Sequence, residues 1–88
     1  MILSTHKKTP QYKDSMNAKH VKEIGARLKR QRLRASITLR EMADKTGFTL
    51  EQLSLYEATG QIPMKHFTIF WEILSDKPFP VWFEELTN

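Results

Sequence analysis

The chain has 88 residues, 40% of them hydrophobic, a formal net charge of +4 and no cysteine, which bounds it to one domain and excludes disulfides and thiolate metal sites. No apolar run approaches the roughly 18 residues of a membrane span, and the opening MILSTHKKTPQYK lacks the apolar stretch of a secretory signal, so a cytoplasmic protein is expected. A core of this size is marginal, which favours a tight helical bundle or a dimer.

Residues 1–17 read as a basic flexible tail. They carry Lys7, Lys8 and Lys13, include Pro10 and show no periodicity. Such a segment buries too little apolar surface to offset its ordering entropy. Residues 18–88 read as the folded domain.

The first helix is expected over about 18–34, with Asn17 as its cap. Val21, Ile24 and Leu28 line one face at three- and four-residue spacing, and Leu33 and Ala35 extend that buried side. Gly25 lowers helix propensity but lets another helix approach closely. From residue 19 to residue 40, Lys19, Lys22, Arg27, Lys29, Arg30, Arg32, Arg34 and Arg40 stand against one acid, Glu23, whereas acids outnumber bases afterwards. A cationic block on one end of a small domain is what a polyanion-binding face looks like, although a solvated helix surface reads the same way. Ser36 and Ile37 form the corner after this helix.

Two capping boxes then mark two helix starts. Thr38 can cap free N–H groups while Glu41 reaches back to it, and Thr49 with Gln52 repeats the device. Gly47, between them, suits the left-handed residue that ends a helix. Leu39, Met42 and Ala43 make the second helix amphipathic; Leu50, Leu53 and Tyr56 or Glu57 follow in the third, over about 49–58. Gly60 and Pro63 stop it. A fourth helix is expected over about 64–75, with Phe67, Phe70, Trp71, Ile73 and Leu74 giving a broad apolar face. A short fifth follows over about 80–86, with Pro80 at its first turn. Of its aromatic neighbourhood, Phe79, Trp82 or Phe83 is left to form a dimer seam if the core does not take it.

Helix, glycine turn and helix at these lengths describe a helix-turn-helix. The segment resembles that of the Cro and phage-repressor (Xre-type) family. The matching residues are Arg27-Leu28-Lys29 and Arg32, Thr38-Leu39-Arg40-Glu41-Met42-Ala43, Gly47-Phe48-Thr49, Leu53-Ser54, Tyr56-Glu57 and Pro63, running on to Val81-Trp82-Phe83. The resemblance covers residues 21–86. It implies an all-α, five-helix phage-repressor-like bundle that binds double-stranded DNA sequence-specifically as a repressor-like transcriptional regulator. A homodimer on a two-fold site is the implied assembly.

In that docking mode the third helix enters the major groove. The resemblance makes Thr49, Leu50, Glu51, Gln52 and Leu55 the base readers, with Ser54 turned inward. It places Thr38 and Leu39 at the phosphate-facing start of the second helix. Arg27, Lys29, Arg30, Arg40, Lys45 and Lys65 are the candidate phosphate contacts, and the tail can add a minor-groove arm. The resemblance also pairs Arg32 with Glu57, a guanidinium fork on a carboxylate; without it, the two are unrelated surface charges. The reading surface departs from the usual one, because Leu50, Glu51 and Leu55 stand where Arg, Lys, Asn and Gln are the commonest readers. Leu39 and Ala58 replace frequent glutamine and asparagine.

Two alternatives keep the same fold. One is the antitoxin half of a toxin–antitoxin pair, holding a protein partner with the tail or the C-terminal aromatics. The other is a protein-interaction adaptor that grips its partner through Leu50 and Leu55 and has lost DNA binding. An enzyme is not expected. His6, His20 and His66 are scattered and read as surface residues, Thr38, Thr49 and Ser54 lack a nucleophile's partners, and there is no glycine-rich phosphate loop. No metal or cofactor is called for.

Overall fold

The computed structural model describes residues 19–88. They form five helices and no strand: α1 over 19–34, α2 Leu39–Thr46, α3 Leu50–Thr59, α4 Met64–Leu74 and α5 Phe79–Thr87. The tail over 1–17, its lysines, His6 and the Asn17 cap lie outside the described residues. None of the described helices is long and apolar enough to cross a membrane.

Local chemistry sets the element ends. At α2 the Thr38 hydroxyl accepts from the Glu41 N–H at 3.0 Å and the Thr38 N–H donates to Glu41 Oε1 at 2.8 Å, a complete capping box. Gly47, with φ 84°, closes α2 in the left-handed region. The box expected at α3 is only half made. Thr49 Oγ1 caps the Gln52 N–H at 3.0 Å, but the Gln52 amide turns away to the Tyr56 hydroxyl. Gly60, with φ 72°, closes α3. α5 begins one residue before Pro80, after Pro78, and the fixed φ of Pro80 still sits in the first turn, where a missing N–H costs nothing.

The corner after α1 is sharper than a serine suggests. Ser36 has φ 59°, and its N–H donates to Leu33 O while the Ile37 N–H donates to Arg32 O. This pair of bonds is the Schellman ending usually given to glycine.

Ile24, Leu28, Met42, Leu53, Tyr56, Phe67, Phe70, Trp82 and Leu86 form one buried cluster drawn from all five helices. Each such side chain contributes about 1.5–3 kcal/mol on leaving water. One expectation fails here. Leu33, at 55% exposed, and Ala35 lie outside the core: Leu33 stands about 100° round α1 from the buried Arg32, and Ala35 falls in the turn past the helix end. Of the three aromatics around α5, the core takes Trp82, whose Nε1 donates to Gln31 Oε1 at 2.8 Å. Phe79 and Phe83 are half-buried and stack at 5.3 Å between ring centroids.

Candidate nucleic-acid interface

α3 is held from behind by α1. Gly25 provides the close approach: a Cβ there would stand 2.6 Å from the carbonyl oxygens of Tyr56 and Glu57. About two turns further along α1, Arg32 Nε donates to Glu57 Oε2 at 2.6 Å and its NH2 group to Oε1 at 3.0 Å. The third arm of the guanidinium donates to Ile37 O at 2.8 Å. Both side chains are under a tenth exposed, at 7% and 9%. Their charges are compensated bidentately, as burial demands.

The other side of α3 is bare. Leu50 is 38% and Leu55 59% exposed, and Glu51, Ser54 and Ala58 are exposed with them. These residues border one shallow, largely apolar depression. At about 100° per residue they span roughly 140° of the helix circumference, opposite Leu53 and Tyr56. Ser54 therefore faces outward, at the centre of this strip, and not inward as expected.

Gln52 is set apart from the strip. It is half-buried, and its Nε2 donates to the Tyr56 hydroxyl at 3.0 Å, which in turn meets His66 Nδ1 at 2.9 Å. The Tyr56 hydroxyl thus links a side chain of its own helix to one of α4. His66 also lies on Phe48, ring centroids 4.7 Å apart, so it ties α3 to α4 where the sequence suggests a surface residue. Periodicity offers no signal for this, because the partner comes from a different helix.

The helix starts keep donors in hand. The Thr38 N–H is engaged by Glu41, but those of Leu39 and Arg40, and of Leu50 and Glu51, have no partner among the described residues, as first turns leave them. Arg40, Lys45 and Lys65 are exposed on α2 and α4. The Glu41 carboxyl is held below its usual range by the hydrogen bond from the Thr38 backbone, then by the Thr38 side chain, with a smaller contribution from Lys45.

The cations of α1 do not gather beside this face. Arg27 NH1 donates to Leu86 O at 3.0 Å, capping the last turn of α5, and its NH2 stands 3.8 Å from Glu23. Arg27, Arg30 and Arg34 border a polar groove with Gln31, Glu85 and Leu86. Arg27 and Arg34 are each two residues from a position that touches α3, which puts them about 200° round α1 from it. Lys29, four residues from Gly25 and three from Arg32, stays within about 60° of the α3-facing stripe. So the structure separates the expected cationic set: Lys29 lies near α3, Arg40, Lys45 and Lys65 are exposed on the neighbouring helices, and Arg27 and Arg30 belong to the α1–α5 side. Among the described residues no three metal-ligating side chains converge.

No family model, no curated protein and no solved structure matches this chain.

Proposed function

We propose that the chain binds double-stranded DNA as a helix-turn-helix regulator of the phage-repressor kind, with α2 on the backbone and α3 in the major groove. The observation that carries this reading is the two-sidedness of α3. Its inner face is locked by Gly25, the Arg32–Glu57 fork and the Tyr56–His66 tie, while among the described residues nothing covers the outer strip of Leu50, Glu51, Ser54, Leu55 and Ala58. A short helix fixed on one side and bare on the other is what probing a groove of fixed shape requires. Backbone contacts fall to the free N–H groups at the starts of α2 and α3 and to Arg40, Lys45, Lys65 and Lys29. The cytoplasm, a homodimer on a two-fold site and transcriptional control are included in the same proposal.

A protein-interaction adaptor is the second reading, favoured by the exposed Leu50 and Leu55 and by the Glu51 charge on the strip. Titration of a random duplex at two salt concentrations separates them. A DNA binder shows affinity falling steeply with salt. Replacing Arg40, Lys45 or Lys65 by Gln lowers the salt slope by about one each, whereas Arg30→Gln and Arg34→Gln leave it unchanged. A protein that ignores duplex at low salt is the adaptor.

A further inference from the structure

Building on the DNA-binding reading, we infer that α3 selects methyl-bearing pyrimidines, thymine or 5-methylcytosine, through Leu50 and Leu55, with an adjacent cytosine amino group taken by Glu51. The inference follows from what the strip lacks as much as from what it holds. Guanine offers two acceptors in the major groove and is read by Arg or Lys; adenine offers an acceptor and a donor and is read by Asn or Gln. The outward residues Leu50, Glu51, Ser54, Leu55 and Ala58 include none of these four types. The one amide on α3, Gln52, is turned to the Tyr56 hydroxyl.

What remains is apolar contact and a single strong acceptor. Two leucines separated by a depression can each cover a C5 methyl group, which only thymine carries among the unmodified bases. Glu51 accepts a hydrogen bond and donates none. Against adenine its carboxylate meets the N7 lone pair beside the amino group; against cytosine the neighbouring edge is a C–H, so the N4 amino group is the better match. 5-Methylcytosine presents the amino group and the methyl together, and so fits Glu51 and a leucine at once. The Ser54 hydroxyl, which can donate or accept, adds no preference.

The test starts from the full chain and a duplex pool with a randomised centre. In the enriched duplex, each preferred thymine is replaced by deoxyuridine, which removes the methyl and keeps the pairing edge. One buried methyl lost at each of two positions should weaken binding about four-fold per position. Methylating cytosines within the contacted stretch should restore or raise affinity. Leu50→Ala and Leu55→Ala should each abolish one thymine–deoxyuridine difference and leave the salt slope intact; both side chains are exposed, so circular dichroism should show the fold retained. Glu51→Gln should shift the preference at its position from cytosine to adenine. Duplex binding that is indifferent to deoxyuridine, or a selected site whose contacts are guanines, overturns the inference while leaving DNA binding standing. A pool that is not retained at any salt overturns both.

Discussion

Gly60 presses on the backbone of Val21: a Cβ on Gly60 would stand 1.7 Å from the Val21 carbonyl oxygen. No side chain fits there, and φ 72° is a conformation that L residues avoid. With Gly25 against the Tyr56 and Glu57 carbonyls, this makes the α1–α3 contact one of backbone on backbone. Three glycine-to-alanine substitutions should therefore rank clearly in urea unfolding. Gly47→Ala, at φ 84° with nothing within 4 Å, costs only about 1–2 kcal/mol, the strain that an L residue takes on in the left-handed region. Gly25→Ala gains about 1 kcal/mol of helix propensity but must push the two helix backbones apart, and comes out worse. Gly60→Ala carries both penalties and should be the most damaging. An equal effect at Gly47 and Gly60 would contradict this contact.

The Arg32–Glu57 fork should behave as a buried pair. Arg32→Ala or Glu57→Ala leaves a charge without its partner and should destabilise by about 3–5 kcal/mol. The double variant should cost less than the sum, with a coupling of about 1–3 kcal/mol in a double-mutant cycle. Arg32→Lys should rescue poorly, because an ammonium cannot span both carboxylate oxygens and Ile37 O together. Additive single effects would show the pair to be idle.

Ser36 is the single non-glycine residue with positive φ among the described residues, at φ 59°. Glycine relieves about 1–2 kcal/mol of strain there and gives back some of it as freedom in the unfolded chain. Ser36→Gly should raise stability by up to about 1 kcal/mol, read as a higher Tm. A lower Tm would mean that the serine side chain holds the corner.

Acid should loosen the start of α2. The Thr38 N–H keeps the folded Glu41 carboxyl below its ordinary value, so as pH falls the unfolded chain takes up this proton first. The contribution is complete above the ordinary glutamate range and is lost as pH falls through the lowered folded value. Glu41→Gln, which still accepts from Thr38, should flatten that stretch of the Tm-against-pH curve. An unchanged acid limb would remove Glu41 from the account.

Local chemistry is legible along the chain. Thr38 with Glu41, Gly47, Thr49, Gly60 and Pro80 act within four residues of themselves, and the helix ends fall within a residue or two of where those residues point. Periodicity likewise marks Ile24, Leu28, Met42, Leu53, Phe67 and Phe70 as core, since a 3.6-residue repeat registers any one-sided burial. The misplacements share a cause. Leu33, Ser54, Gln52 and His66 each sit where a neighbouring helix, or its absence, decides the environment.

Five short helices, their approximate ends, and a cationic first helix ahead of a glycine-hinged pair all follow from residues near one another along the chain. Which way each side chain looks is set by the packing of the helices on one another. Arg27, Arg30 and Arg34 are turned to α5 because Gly25 and Arg32 claim the opposite side of α1 for α3. Gln52 is drawn off the open strip because Tyr56 and His66 meet beside it. A helix's ends depend on neighbours in the chain, but its facing depends on neighbours in space, and close packing between helices far apart in sequence sets those.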